Sequence, residues 1–381
     1  MSTATLDTID VRTLLKKYTV EELNRTADKY FQQFQSQDSI NWLLAKPFIS
    51  PEEMPEVLIS FCHVFQGLQM TPGMTVLDFG AGSCWSSRFL TQLGYNVIAC
   101  DVSEHALEIG KRGFQLFPIQ GKRSQPRFLH FDGHRFDLPD HSVDRIMCLS
   151  AFHHVPNQEE VLAEMARVLK DGGIAGFAEP GPNHSKTAQA QEEMRNFTVI
   201  ENDIHLEEIW EKAKRVGFAD LEVGLWTPST GLMSLDSYNA FLAGHFQAAN
   251  PQLSAMTLFL RDRRLFFLHR QSGHKITSRQ AQGLKAEIQV HLDRTTVPAH
   301  TPIPATVRLR NTGTALWLPS SAPNGPVRLG VRKVQPRRKN RTWEALAKSI
   351  LRSIRKANGS CEYQDITRFP LPGPAGRGHE P

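Results

Sequence analysis

The chain has 381 residues, which is long enough to bury a sizeable core in two domains or in one large domain with appendages. Its net charge of +5 is uneven, because residues 331–381 carry twelve Lys and Arg against four Asp and Glu and the rest sums to −3. That balance argues against a nucleic-acid enzyme. The five cysteines are scattered, the first residues lack the order of a secretion signal, and no apolar run reaches membrane-spanning length. We expect a cytoplasmic protein that acts on small molecules.

The first 69 residues predict helices that precede the main domain. Residues 8–35 have apolar side chains at helical spacing, and the proline-rich KPFISPEEMP leads into a second helix from Val57 to Gln69. We assign residues 1–69 to an N-terminal helical segment.

Residues 76–90, VLDFGAGSCWSSRFL, predict a strand, a glycine turn and a helix. A dinucleotide fingerprint needs a small residue where Trp85 stands, and a phosphate-binding loop needs a Gly-Lys-Ser/Thr that is absent here. The next strand ends in Asp101, at a place where an acid binds ribose hydroxyls. We therefore predict a nucleoside ligand without phosphates, held by Gly80, Gly82 and Asp101.

These motifs resemble those of the class I S-adenosylmethionine-dependent methyltransferases of the small-molecule type. The resemblance covers roughly residues 70–223, and residues 127–181 look like the family's third strand, adenine-contacting aspartate, fourth strand, helix and fifth strand in order. It implies an α/β fold with a doubly wound, mostly parallel seven-stranded sheet, S-adenosyl-L-methionine as cofactor and methyl transfer as activity.

The alternation of strands and helices agrees with that fold. Strands are predicted at residues 76–79, 97–100, 127–131, 143–149 and 174–178, and helices at residues 83–90, 103–113 and 158–170. Asn157 and Glu160 predict a capping box at the start of the last helix, and Gly172 and Gly173 predict its end.

The end of the predicted methyltransferase domain, residues 70–273, contains an insertion. Residues 221–226 and 264–269 predict the last two strands, and some thirty-seven residues separate them. Because loops of that length are usually functional, we predict that the insertion is a lid and selects the substrate.

The C-terminal residues change character. Residues 284–335 predict about four short antiparallel strands, and NTGTALWLP resembles immunoglobulin-like modules of carbohydrate enzymes, although a complete sandwich needs about seven strands. Residues 336–381 are basic with apolar residues at helical spacing, which suits a membrane-surface or partner-docking helix. A disordered or truncated tail is the stronger interpretation.

The resemblance also assigns cofactor roles. It implies that glycine backbone approaches the methionine part, that the acid after the first strand organises the turn, that the acid after the second strand binds ribose, and that the Asp-Gly pair after the third strand meets the adenine. The predicted cofactor-binding residues are Asp78, Gly80, Gly82, Asp101, Val102, Asp132, Gly133 and Ser150.

Three residues at the ends of the fourth and fifth strands are candidates for removing a proton from the acceptor. His153 and His154 lie in SAFHHV, and Glu179 ends the fifth strand. Histidine titrates near neutral pH, but the family often uses such a pair only for packing. No Cys, His and Asp cluster has metal-ligand spacing, so we predict no metal.

The sequence thus predicts S-adenosylmethionine-dependent methyl transfer to a small polar acceptor, with a hydroxyl of a sugar or glycan precursor as the expected target. A non-catalytic scaffold that binds the cofactor or a glycan is one alternative. A nucleotide-dependent oxidoreductase or epimerase is another, and Trp85 argues against it.

Overall fold

The structure is a computed structural model that describes residues 8–71, 73–121, 123–270, 283–292, 305–313, 315, 317, 327 and 360–363. Its internal contacts divide the chain into two compact units, Met1–Gly273 and His274–Pro381.

The first unit is built on a seven-stranded sheet in the order β3-β2-β1-β4-β5-β7-β6. Its first five strands are parallel, whereas β7 runs antiparallel to both β5 and β6. This arrangement confirms the predicted mostly parallel, seven-stranded fold. The strands are β1 (Thr75–Phe79), β2 (Asn96–Asp101), β3 (Arg127–His130), β4 (Val143–Leu149), β5 (Leu169–Pro180), β6 (Asp220–Val223) and β7 (Arg263–His269).

Helices surround this sheet and bury the apolar residues of its central strands. No helix in the described part of the chain combines the length and the apolar character needed to cross a bilayer. The helices are α1 (Val11–Lys17), α2 (Val20–Gln32), α3 (Gln37–Leu44), α4 (Met54–Gly67), α5 (Trp85–Gln92), α6 (Glu104–Leu116), α7 (Gln158–Val168), α8 (Ala188–Phe197), α9 (Leu206–Arg215), α10 (Leu235–Leu242) and α11 (Asn250–Asp262).

The predicted end of α7 is wrong, because the helix gives way to β5 at Leu169 without a glycine cap. Val143 of β4 already pairs with Leu169, and the register shifts between Val143 and Arg145. Gly172 lies inside this irregular stretch with φ +71°. The two glycines therefore allow a bulge in a long strand.

The predicted capping box of α7 is also wrong. Asn157 makes no side-chain cap. Its amide nitrogen donates instead to Gly133 O at 2.9 Å and to Glu160 Oε2 at 2.7 Å. The side chain thus links the start of α7 to the loop after β3.

Helix α2 is fixed above the carboxyl ends of the strands by its polar side chains. Asn24 Nδ2 donates to Asp132 O at 3.2 Å, and Thr26 Oγ1 donates to Thr198 O at 3.2 Å. Asp28 Oδ1 accepts from Ser103 Oγ at 2.8 Å. The N-terminal helices therefore belong to the same unit as the sheet, and α2 forms a roof over the carboxyl ends of its strands.

The insertion before β7 contains α10 and α11. Many of its large apolar side chains are exposed, and Leu232 and Leu235 are 85% and 72% accessible. Phe259 and Leu260 instead pack against the core. Strand β6 ends at Val223, three residues earlier than predicted.

The second unit contains a small antiparallel sheet in the order β10-β9-β8, with β8 at Ala286–Leu292, β9 at Ala305–Asn311 and β10 at Ser360–Tyr363. The antiparallel pairing of β8 and β9 agrees with the expected β character of this region. The further predicted strands and most of the basic tail lie outside the described residues.

Candidate active site

A cavity of about 440 Å³ lies at the carboxyl ends of the parallel strands, where doubly wound sheets hold their ligands. Loops after β1, β2, β3 and β4 line one side, and α2 and α3 line the other. Two predicted site residues, Asp132 and Glu179, do not line it. The other predicted site residues do: Asp78, Gly80, Gly82, Asp101, Val102, Gly133, Ser150, His153 and His154.

The turn after β1 depends on glycine at two positions. Gly80 has φ +67°, and a Cβ there would lie 2.2 Å from the Cβ of Ala151. Gly82 has φ +51°, and its N–H donates to Asp101 Oδ2 at 2.8 Å. A side chain at Gly80 would therefore separate the turn from the loop after β4.

Two carboxylates in the wall carry buried negative charge. Asp78 is 2% exposed and accepts from Ser86 Oγ and Ser87 Oγ at 2.7 and 2.6 Å. Asp101 is 9% exposed and accepts from the N–H groups of Gly82 and Ser103. Burial raises the pKa of both, and that of Asp78 reaches about 6.

Neither of these two carboxylates forms an ion pair within the described part of the chain. A cation in the cavity would stabilise their charge, whereas a pyrophosphate would be repelled. The wall therefore fits a cationic nucleoside such as S-adenosylmethionine better than a dinucleotide.

Trp85 begins α5 and is 8% exposed. Its indole packs against the rings of Phe61 and Phe89, each with a centroid distance of 5.7 Å, and lines the cavity. The large ring thus occupies the place that a third small residue would leave open for phosphates.

The two residues of the Asp-Gly pair after β3 differ in position, because only the glycine lines the cavity. Asp132 is exposed, and its Oδ1 accepts from the N–H groups of His134 and Arg135 at 2.7 and 2.8 Å, as in an Asx turn. Gly133 lines the cavity with φ +97°, and a Cβ there would meet Asn24 Nδ2 at 2.0 Å. The adenine role of Asp132 remains a prediction, while Gly133 gives the roof room to approach.

The loop after β4 places His153 against a buried carboxylate. His153 Nδ1 lies 2.6 Å from Glu179 Oε2. Glu179 is 2% exposed, and its Oε1 also accepts from the N–H groups of Ala151 and Phe152 at 3.0 Å. These hydrogen bonds outweigh burial and hold the pKa of Glu179 below its usual range. Glu179 therefore orients His153 from behind and does not reach the cavity.

The two histidines differ in charge. Burial and the neighbouring charge of His154 lower the pKa of His153. Burial also acts to lower the pKa of His154, but the carboxylate of Glu201, 3.2 Å from His154 Nδ1, raises it to about 9. At neutral pH His153 is a neutral imidazole and His154 an imidazolium.

Sequence reasoning missed Glu201 and His184. Glu201 is 2% exposed, and His184 Nε2 lies 2.7 Å from its Oε2. Both residues line the cavity. They lie in connections beyond β5 that carry no motif, so only the packing of these segments over the loop after β4 reveals them.

The remaining wall is largely apolar and aromatic. It comes from α2, α3, the segment after α3 and the segment after α8, and it includes Leu23, Ala27, Tyr30, Phe31, Trp42, Leu43, Ile49, Val199 and Ile200. No residue from 227 to 262 lines the cavity. The predicted role of the insertion in substrate selection therefore remains a prediction, and the N-terminal helices supply the wall instead.

Residues 77–177 match the family model described as a methyltransferase domain. A sterol 24-C-methyltransferase of Yarrowia lipolytica is 34% identical over 109 residues, which are 28% of this chain and 28% of the relative. A demethylmenaquinone methyltransferase of Renibacterium salmoninarum is 30% identical over 142 residues, 36% of this chain and 56% of the relative. The chain thus spans about a quarter to a half of the length of these relatives.

Among solved structures, the phosphoethanolamine N-methyltransferase 2 of Haemonchus contortus in complex with S-adenosyl-L-methionine is 20% identical to this chain. It matches with a TM-score of 0.43 over 68% of this chain and 59% of that one. The match at residues 77–177, with which the sheet order and the glycine turn agree, identifies a methyltransferase domain within this chain.

Proposed function

We propose that this chain transfers the methyl group of S-adenosylmethionine to a hydroxyl-bearing small molecule with an apolar or aromatic body. The observation that supports this is a single cavity that brings together two buried carboxylates, a neutral imidazole and an aromatic wall. The carboxylates of Asp78 and Asp101 suit a cationic nucleoside, and the rings of α2 and α3 suit an apolar acceptor.

When bound, the cofactor supplies an activated methyl group with its own leaving group. The chain then needs to bind, orient and deprotonate. Asp101 accepts two backbone N–H groups and keeps further lone pairs for ribose hydroxyls. Gly80 and Gly82 leave the backbone of the turn open to the methionine part, and the charge of Asp78 favours a cation beside it.

A hydroxyl acceptor must lose its proton when its oxygen takes the methyl group. His153 is the side chain suited to accept that proton, because its Nδ1 faces Glu179 and its Nε2 therefore carries the lone pair. Glu179 positions the ring and would stabilise the imidazolium that forms. His154 is already paired with Glu201, so we assign it no base role.

The side chains of the cavity wall indicate the chemical class of the acceptor. Leu23, Phe31 and Trp42 favour contact with an apolar or aromatic body. The relatives named for sterol, menaquinone and a phytyl-hydroquinone support the same class. The sugar hydroxyl expected from the sequence rests on the C-terminal β module and remains the alternative acceptor.

The experiment is to incubate the protein with cofactor carrying a labelled methyl group and with fractionated cell extracts. We expect label to enter an organic-soluble fraction, and the matched variant Asp101→Asn to transfer at least tenfold less. Label in a water-soluble sugar fraction would favour the glycan acceptor. Tight cofactor binding with no transfer to any fraction would favour the scaffold, and tight NAD binding would favour the oxidoreductase.

A further inference from the structure

We propose that His153, His154 and Glu201 bind a divalent first-row transition-metal ion in the wall of the cavity. Ligand atoms of these three residues lie within 4.8 Å of one another. The site is distinct from the glycine turn and from Asp101, which serve the cofactor. Its existence does not depend on the proposed function.

The two histidines are oriented as metal ligands usually are. A ligating histidine commonly donates from its second ring nitrogen to a carboxylate or a backbone carbonyl. His153 Nδ1 lies 2.6 Å from Glu179 Oε2, and His154 Nδ1 lies 2.8 Å from Ile200 O. Both contacts use Nδ1, so each histidine has Nε2 left as the atom that can ligate an ion.

The third ligand is a buried carboxylate with spare capacity. Glu201 Oε2 lies 3.6 Å from His153 Nε2, which is close to the spacing of two ligands on one ion with bonds of about 2 Å. Glu201 Oε1 is also buried and lies 3.2 Å from His154 Nδ1. His184 Nε2 donates to Oε2 at 2.7 Å and would hold the carboxylate in place.

The negative charge around the two imidazoles also favours a bound cation. Glu179 and Glu201 place two buried carboxylates around the imidazoles, and Glu193 lines the cavity nearby. On binding at His154 Nε2, an ion would displace the proton that this nitrogen carries in the imidazolium. Two imidazoles and one carboxylate are donors that Zn²⁺, Fe²⁺ and Co²⁺ accept, whereas Mg²⁺ prefers oxygen ligands.

Three protein ligands leave a coordination position open toward the cavity, as in catalytic zinc sites. An acceptor hydroxyl could bind there, and the ion would lower its pKa so that the proton passes to water. With an ion bound, His153 would coordinate it and would no longer act as the base. This last role rests on the proposed methyl transfer, whereas ion binding does not.

The test uses the full-length protein after treatment with a chelator, titrated with Co²⁺ and followed by visible absorption and calorimetry. We expect one Co²⁺ per chain, displacement by Zn²⁺ and no competition from Mg²⁺. Glu201→Gln should weaken Co²⁺ binding at least tenfold. S-adenosylhomocysteine affinity should change less than threefold in this variant, which also reports that it is folded.

The matched control is His134→Ala, because His134 also contacts two carboxylates, Glu21 and Glu160, at 3.1 and 2.9 Å, but on the surface. This control should keep the Co²⁺ site. Absence of stoichiometric Co²⁺ binding to the wild-type protein would overturn the proposal, as would unchanged binding in both Glu201→Gln and His154→Asn. Either result would leave methyl transfer standing, since cofactor binding is measured separately.

Discussion

His153 Nδ1 and Glu179 Oε2 lie 2.6 Å apart and join the loop after β4 to the end of β5. A carboxylate can only accept here, so the ring must donate from Nδ1 and present Nε2 as an acceptor. Both partners are almost fully buried, which fixes the ring more firmly than an exposed pair would be. The geometry therefore gives different roles to His153 and Glu179, which the sequence analysis treated as rival bases. His153 presents a free nitrogen, and Glu179 orients its ring.

The first prediction concerns His153. We expect His153→Ala to lower the rate of methyl transfer to the identified acceptor by about 10²- to 10⁴-fold, the range for removal of a general base. The affinity for S-adenosylhomocysteine should change less than threefold. Single-turnover rates and calorimetry measure the two effects separately. A parallel loss of affinity and rate would make His153 a packing residue.

The second prediction concerns Gly80. Gly80→Ala should destabilise the protein by about 2–4 kcal/mol, because the new Cβ meets Ala151 at 2.2 Å and the backbone has φ +67°. Gly73→Ala is the matched control, since Gly73 has φ +87° and a Cβ there would meet no other atom within 4 Å. The control should lose only about 1 kcal/mol. The free energy of unfolding of both variants is measured with denaturant. Equal losses would show that the close approach to Ala151 does not contribute to the destabilisation.

The third prediction follows from the buried charge of Asp78. Its pKa in the folded protein, about 6, is above its ordinary value of 3.8, so the folded state binds more protons between these values. Tighter proton binding by Asp78 stabilises the folded state, and this contribution is fully present below about pH 3.8. It is lost as pH rises through about 6, which lowers the free energy of unfolding by about 3 kcal/mol. Asp78→Asn should therefore raise the melting temperature at pH 7.5, and raise it less at pH 5.

Thermal unfolding of both proteins in the absence of cofactor measures this effect. A variant that melts lower than the wild type at both pH values would show that the hydrogen bonds from Ser86 and Ser87 to the carboxylate outweigh the cost of its charge.

The sequence predicted the sheet, its strands and the residues of the glycine turn because these depend on local patterns. Apolar runs define the strands, and positive φ angles at Gly80 and Gly82 explain the glycines. Asp101 was recognisable because a strand places the acid at a known edge of the sheet.

The contacts of α2 with the loop after β3, and the contact of Glu201 with His154, were not predictable in this way. Asn24 contacts residue 132, and Glu201 contacts a histidine nearly fifty residues earlier, so neither pairing has a local signal. The capping box of Asn157 failed for the same reason, because its side chain bonds to Gly133 in a distant loop. The partners of these side chains are set by tertiary contacts between segments that are distant in sequence.

The fourth prediction concerns the division of the chain at Gly273. All residues that line the cavity precede this point, the last being Arg263. A chain ending at Gly273 should bind S-adenosylhomocysteine within threefold of the full-length affinity. Loss of binding in a folded truncated chain would show that the C-terminal unit is needed for the cofactor site.

Calorimetry with S-adenosylhomocysteine determines whether this cavity binds S-adenosylmethionine through its buried carboxylates. We predict one site per chain in the wild type and at least tenfold weaker binding in Asp101→Asn, because a hydrogen bond to a charged group contributes about 1.5–3 kcal/mol. No binding to the wild type would show that this cavity is not the cofactor site, and the same affinity in Asp101→Asn would show that Asp101 does not bind the ribose.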